Sequence, residues 1–314
     1  MLILAWVLPA VISACVPTHP SSTDVAIAQC GVAASELGEF VSVPSGVYTK
    51  GAQPLYADEA PTREIQVQGF WIQRHEVTNS QFSTFVEETG YVTDVEKDIA
   101  NGRLGAGTAV FLHPDERSDA ELPWTLSADA TWKMPNGIGS SIDERMNEPV
   151  VHVSKRDADA YAAWVGARLP SEIEWEYAAT LGLPDPENSS SGAYGKNGPR
   201  ANTWQGMFPV ANLILDGFDG AAPVGCFESD RLGLFDMIGN VWEWTDTPYS
   251  EGTHTMKGGS FLCADNFCRR YRPSARHPQD TDFSSSHIGF RVVRDEVTPD
   301  KNSPNRFAPN SGEL

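Results

Sequence analysis

A chain of 314 residues, 40% hydrophobic and 21% charged, has a globular balance and enough length to bury a substantial core. Its formal charge of −19 argues against a nucleic-acid binder, which neutralises phosphates with clustered Lys and Arg. That acidity serves solubility, or a surface that attracts basic peptides and cations.

The first residues, Met1 to Cys15, form an apolar run of signal-peptide length, too short to span a bilayer comfortably. Ile12-Ser13-Ala14-Cys15 has the form of a bacterial lipobox, although no basic residues precede the apolar run. Together they predict an exported protein, periplasmic or held at the membrane by a lipid anchor on Cys15. Residues 16–38 contain Thr, Ser and Pro and read as a tether. Residues 39–295 show no internal repeat and no linker, so one domain is expected there, followed by a polar tail over 296–314. Cys30 and Cys226 stand singly; an oxidising compartment allows them to pair, and the sequence does not decide it.

Phe40 to Glu76 has short alternating runs with Gly and Pro punctuation, which predicts strands. Capping boxes then announce three helices. Thr78 with Gln81 opens one that stops near Gly90; Ser154 with Asp157 opens a second ending near Gly166; Ser171 with Glu174 opens a third. Between the first two, roughly Asp94 to Asn147, periodicity fails, so a long functional or irregular loop is expected. From Asn202 onward the chain has short strand-like pieces and turns. Nine Trp, many beside Gly, Pro, Asn or Glu, suit a loop-rich domain pinned by aromatic anchors.

Cys263 and Cys268 follow Gly258-Gly259-Ser260 closely. Two thiols at this spacing can form a disulfide, act as a redox pair, or hold a soft metal. No second pair and no His-x-x-x-His accompanies them, so a closed zinc site lacks ligands. Two sulfurs and little else suit Cu(I).

Five segments then carry a resemblance. They are Pro149-Val150-Val151-His152-Val153-Ser154, Arg168-Leu169-Pro170-Ser171-Glu172-Ile173-Glu174-Trp175, Gly233-Leu234-Phe235-Asp236-Met237-Ile238-Gly239-Asn240-Val241-Trp242-Glu243-Trp244, Lys257-Gly258-Gly259-Ser260 and Ile288-Gly289-Phe290-Arg291. In order and spacing the chain resembles the formylglycine-generating enzyme (sulfatase-modifying factor) family. The resemblance implies a single α+β domain, distantly C-type-lectin-like and poor in regular structure. It also implies an oxidoreductase that converts the cysteine of Cys-x-Pro-x-Arg in an unfolded sulfatase polypeptide to Cα-formylglycine, using O2 and a thiol reductant. Active members carry two cysteines after Gly-Gly-Ser, and most inactive or repurposed relatives lack them. The alternative is a non-catalytic binding module of the same fold with a structural Cys263–Cys268 disulfide. An iron-dependent sulfoxide synthase would need clustered histidines, and the seven here are scattered.

By the same resemblance, Cys263 and Cys268 would ligate Cu(I). Ser260 would hydrogen-bond bound oxygen, against the plain reading of a small residue in a turn. Trp242 would wall the oxygen pocket, or serve only as a core anchor. Arg276, Ser284 and Trp132 are the implied substrate contacts, with solvated charge or packing as their ordinary alternatives. His287 stands where many relatives have Asn. Two calcium (Ca2+) sites are implied, one from Asn202, Thr203, Asp216 and Phe218, the other from Asp236, Gly239, Val241 and Glu243. Plain Asn/Asp/Gly turns are the alternative for both.

Overall fold

The computed structural model describes residues 30–118, 121–185, 188 and 190–296. The apolar run, Cys15, most of the tether and nearly all of the tail lie outside the described residues. From Gly31 on, the chain is one compact unit.

Each capping box found in the sequence starts a helix. In α1 (Asn79–Thr89) the Thr78 hydroxyl accepts from the Gln81 amide, and the helix stops at Gly90 in the left-handed region, φ 67°. The helix Lys155–Trp164 is capped by Ser154 and Asp157, and Glu172–Gly182 by Ser171 and Glu174. The stretch expected to be irregular instead contains a fourth helix, Asp94–Ala100, with its own box of Thr93 and Glu96. It is seven residues long and buries only Val95, too little apolar surface to show a helical period. Among the described residues the α-helices in chain order are therefore α1, α2 (Asp94–Ala100), α3 (Lys155–Trp164) and α4 (Glu172–Gly182). A hairpin of Thr108–Phe111 with Trp124–Ser127 also interrupts the supposed loop.

Two sheets organise the α+β domain. In one, Phe70–Gln73 lies between Phe40–Val43 and Val293–Asp295, antiparallel to both. In the other the order is His277–Asp280, Thr253–Lys257, Trp242–Ser250 and Ile288–Gly289. The first four residues of Trp242–Ser250 are all buried, so both faces of that end are covered. Aromatic side chains fill the space between sheet and helices: Phe82 meets the edge of Trp132 at 5.1 Å and stacks on Tyr161 at 6.0 Å.

Charges are buried as well. The Arg291 Nε and Nη2 atoms reach the two oxygens of Glu243, each at 2.7 Å, and the Trp175 indole donates to the same carboxylate at 2.7 Å. Lys257, with no exposed surface, pairs with Glu176 at 3.0 Å. Such pairs are held in place because removing one partner strands the other without water.

Candidate functional site

The strand Thr253–Lys257 runs into Gly258 and Gly259, at φ 90° and 73°. A Cβ on Gly259 would lie 2.7 Å from the Tyr271 Cα, so only glycine passes there. Two tight turns follow. The Ser260 carbonyl accepts from Cys263 N–H at 2.8 Å, and the Ala264 carbonyl accepts from Cys268 N–H at 2.9 Å. They bring the two Sγ atoms to 3.4 Å, and both cysteines are free. The disulfide required by the non-catalytic alternative is not formed.

The two thiols differ. Cys263 is buried and its acidity is pushed well down, first because its thiol donates to Cys268 and then by desolvation; a hydrogen bond from Ser260 opposes this. Cys268 is brought down to about 7, chiefly by that bond from Cys263, with the Arg270 amide and guanidinium adding to it. Cys268 therefore titrates around pH 7 while Cys263 keeps its proton. Among the described residues no group of three or more His, Cys, Asp or Glu is placed to hold a metal. A metal on this pair would therefore have two protein ligands. Soft sulfur donors fit Cu(I).

Ser260 has no exposed surface and touches Cys263, and Trp242 belongs to the same buried cluster as Cys263. Trp242 also stacks on His277 at 5.4 Å, and its backbone N–H donates to the His287 carbonyl at 2.8 Å. His287 is held neutral by burial, pushed down to about 3, and meets Trp124 edge-on at 4.9 Å.

The three implied substrate contacts have partners of their own. Arg276 pairs with Glu172 at 2.8 Å and lies over the Tyr249 ring at 4.5 Å. Ser284 donates to Thr108 at 2.8 Å; Thr108 in turn meets His152 Nδ1 at 2.8 Å, and His152 Nε2 meets the Pro135 carbonyl at 2.8 Å. Trp132 is buried among core aromatics and lines a cleft of about 370 Å³ that also takes in Phe111, Phe261 and Ser286. Sequence reasoning singled out neither Thr108 nor His152 as site residues. Asn240 was missed too. Its carbonyl accepts from Phe261 N–H, and its side chain bonds Asn202, Ala222 and Glu76, joining the thiol loop to the first calcium set.

That first set fits a hard cation. Asn202 is buried and its Oδ1 has no hydrogen-bond partner, while its amide donates to Gly220 and Asn240. The Thr203 carbonyl and Asp216 Oδ2 converge on one point, where the Gln205 amide meets both. Oxygens of carboxylate, amide and carbonyl together are what calcium takes. In the second set Asp236 is pushed up to about 6, chiefly by burial. Glu243 is already neutralised by Arg291, so it presents no free carboxylate to a cation. Glu76 Oε2 nearby is buried without a hydrogen bond, 3.9 Å from Arg291, and burial pushes this carboxyl well up.

The family described as Sulfatase-modifying factor enzyme 1-like domain matches residues 28–296. The chain belongs to that family. Among similar proteins of the sulfatase-modifying factor family, a formylglycine-generating enzyme of Mycobacterium tuberculosis is 40% identical over 302 residues, which cover 83% of this chain and 99% of that one. An inactive C-alpha-formylglycine-generating enzyme 2 of Bos taurus is 37% identical, with 81% of this chain and 87% of that one covered. The structure of PvdO from Pseudomonas aeruginosa shares the fold at a TM-score of 0.57 and 20% identity, covering 83% of this chain and 95% of that one. Since the sulfatase-modifying factor family includes an inactive member, the chemistry must be argued from the thiol pair.

Proposed function

We propose that this chain is a copper-dependent formylglycine-generating oxidase. It would act on the cysteine of Cys-x-Pro-x-Arg in an unfolded sulfatase polypeptide. The observation that carries the reading is the pair of free thiols 3.4 Å apart behind Gly258-Gly259-Ser260. The relatives' name adds to it. Oxidation of a cysteine side chain to an aldehyde by O2 also takes up two electrons and two protons, and releases hydrogen sulfide and water. A thiol reductant supplies those electrons.

Copper(I), when bound by Cys263 and Cys268, supplies one-electron chemistry toward O2 and an open position for a third sulfur. Cys268 offers a thiolate around neutral pH, and Cys263 gives up its proton when a soft cation binds the pair. Ser260 fixes the Cys263 side chain by a hydrogen bond. Trp242, in the same buried cluster as Cys263, would help keep water from that sulfur. Arg276 and Ser284, both already held by neighbours, would meet the substrate from fixed positions.

Calcium belongs to the same reading as a structural ion at Asn202, Thr203, Asp216 and Phe218; the set Asp236, Gly239, Val241 and Glu243 is not part of it, because Arg291 already holds both Glu243 oxygens. Export, with an anchor on Cys15, is part of it as well. Disulfide-bonded Cys30 and Cys226 support an oxidising compartment.

The test is incubation of a Cys-x-Pro-x-Arg peptide with copper-loaded protein, O2 and a thiol reductant, followed by mass spectrometry. Conversion of the thiol to an aldehyde is expected, and its loss in Cys268→Ser. Copper binding without conversion in the parent protein would reject this substrate.

A further inference from the structure

Exposed apolar side chains concentrate in one hairpin. Met207, Val210, Leu213 and Leu215 are 64%, 61%, 62% and 64% exposed, and Ile214 stands between the last two. A single exposed leucine needs no explanation, but a cluster of this kind does. The hairpin is not slack. Gly206–Met207 pairs with Ala211–Asn212, and the Asn212 side chain accepts from Gln205 and Ile214 amides, each at 3.2 Å. Gln205 Oε1 in turn accepts from Leu215 at 2.9 Å and Asp216 at 3.2 Å. Ile214 is held at φ 50°, a conformation that β-branched residues take only where the surroundings impose it. The apolar side chains are therefore fixed outward.

This ledge is continuous with the thiol loop. Phe208, from the hairpin's turn, stacks on Phe267 at 4.5 Å; Phe267 is 65% exposed and immediately precedes Cys268. A polypeptide presented to the thiols from that side must cross Phe267 and then the ledge. We infer that residues 206–215 dock the apolar side chains flanking the target cysteine of an unfolded substrate polypeptide. This rests on the function proposed above. A folded protein keeps those side chains inside, so the ledge selects chains that have not yet folded.

The test uses the full chain and two labelled peptides with Ser in place of the target cysteine. One carries the short motif alone; the other extends it on both sides with Leu and Phe. Anisotropy should show the long peptide binding about ten-fold tighter than the short one. In Leu213→Ser/Leu215→Ser that preference should collapse toward one, with an unchanged unfolding midpoint, while Leu213→Met/Leu215→Met keeps it. A preference absent from the parent, or unchanged in the serine variant, overturns the inference. So does an unchanged preference with loss of binding to phosphatidylcholine–phosphatidylglycerol vesicles, or with loss of self-association on sedimentation; these would assign the ledge to a membrane or to a second copy. A collapsing preference without oxidation of the cysteine-bearing short peptide by the parent would retain the ledge and reject the oxidase.

Discussion

The asymmetry between Cys263 and Cys268 is the residue-scale property on which the chemistry depends. Alkylation of the metal-free protein by iodoacetamide should label Cys268 with a rate that rises through about pH 7, below the value of about 8.5 for a free thiol. Cys263→Ala removes the largest cause of that lowering, so the inflection should move up; an unmoved inflection would rule out the hydrogen bond from Cys263 as its cause. Gly259→Ala is expected to cost about 3 kcal/mol or more in urea unfolding, since its φ of 73° and the Tyr271 Cα at 2.7 Å both oppose a Cβ. At this scale the sequence was most informative where spacing carries the chemistry. Gly258-Gly259-Ser260 and the two cysteines could be read directly. Asn240 could not, because its role is to join Asn202, Phe261 and Glu76, which are remote in sequence and meet only in the fold.

Helix starts were legible because a capping box is a local device, complete within four residues. The same device was present at Thr93 and Glu96, but α2 buries one side chain, so no apolar period drew attention to it. The hairpin Thr108–Phe111 with Trp124–Ser127 was hidden for a different reason: its partners are separated by a long excursion, and pairing leaves no trace in either segment alone. Caps also differ in what they join. Ser154 Oγ caps α3 and donates to Asp94 Oδ2 of α2 at 2.6 Å, whereas Ser171 Oγ serves only α4, through Glu174. Ser171→Ala should therefore cost about 1 kcal/mol, and Ser154→Ala measurably more. Equal losses in denaturant titrations would show that the α2–α3 link contributes nothing.

At the scale of the whole molecule, Arg291 is the one cation among the described residues paired with Glu243, and Glu76 and Asp236 feel its charge as well. Arg291→Met should destabilise the protein by about 3–5 kcal/mol, read as a drop in urea midpoint, and Glu243→Gln in that background should restore part of it. A loss below about 1 kcal/mol would contradict the importance assigned to this pair. The position of Arg291 along the chain has a consequence for synthesis. It follows Glu243 by 48 residues and stands two residues before Val293–Asp295, the strand that closes onto Phe70–Gln73. A nascent chain threading out of the ribosome or a translocon thus carries buried-to-be carboxylates with no counter-ion until Arg291 emerges. Closure of the domain is deferred to that moment, and the thiol loop, which lies between those carboxylates and Val293–Asp295, can be set only once that strand has emerged.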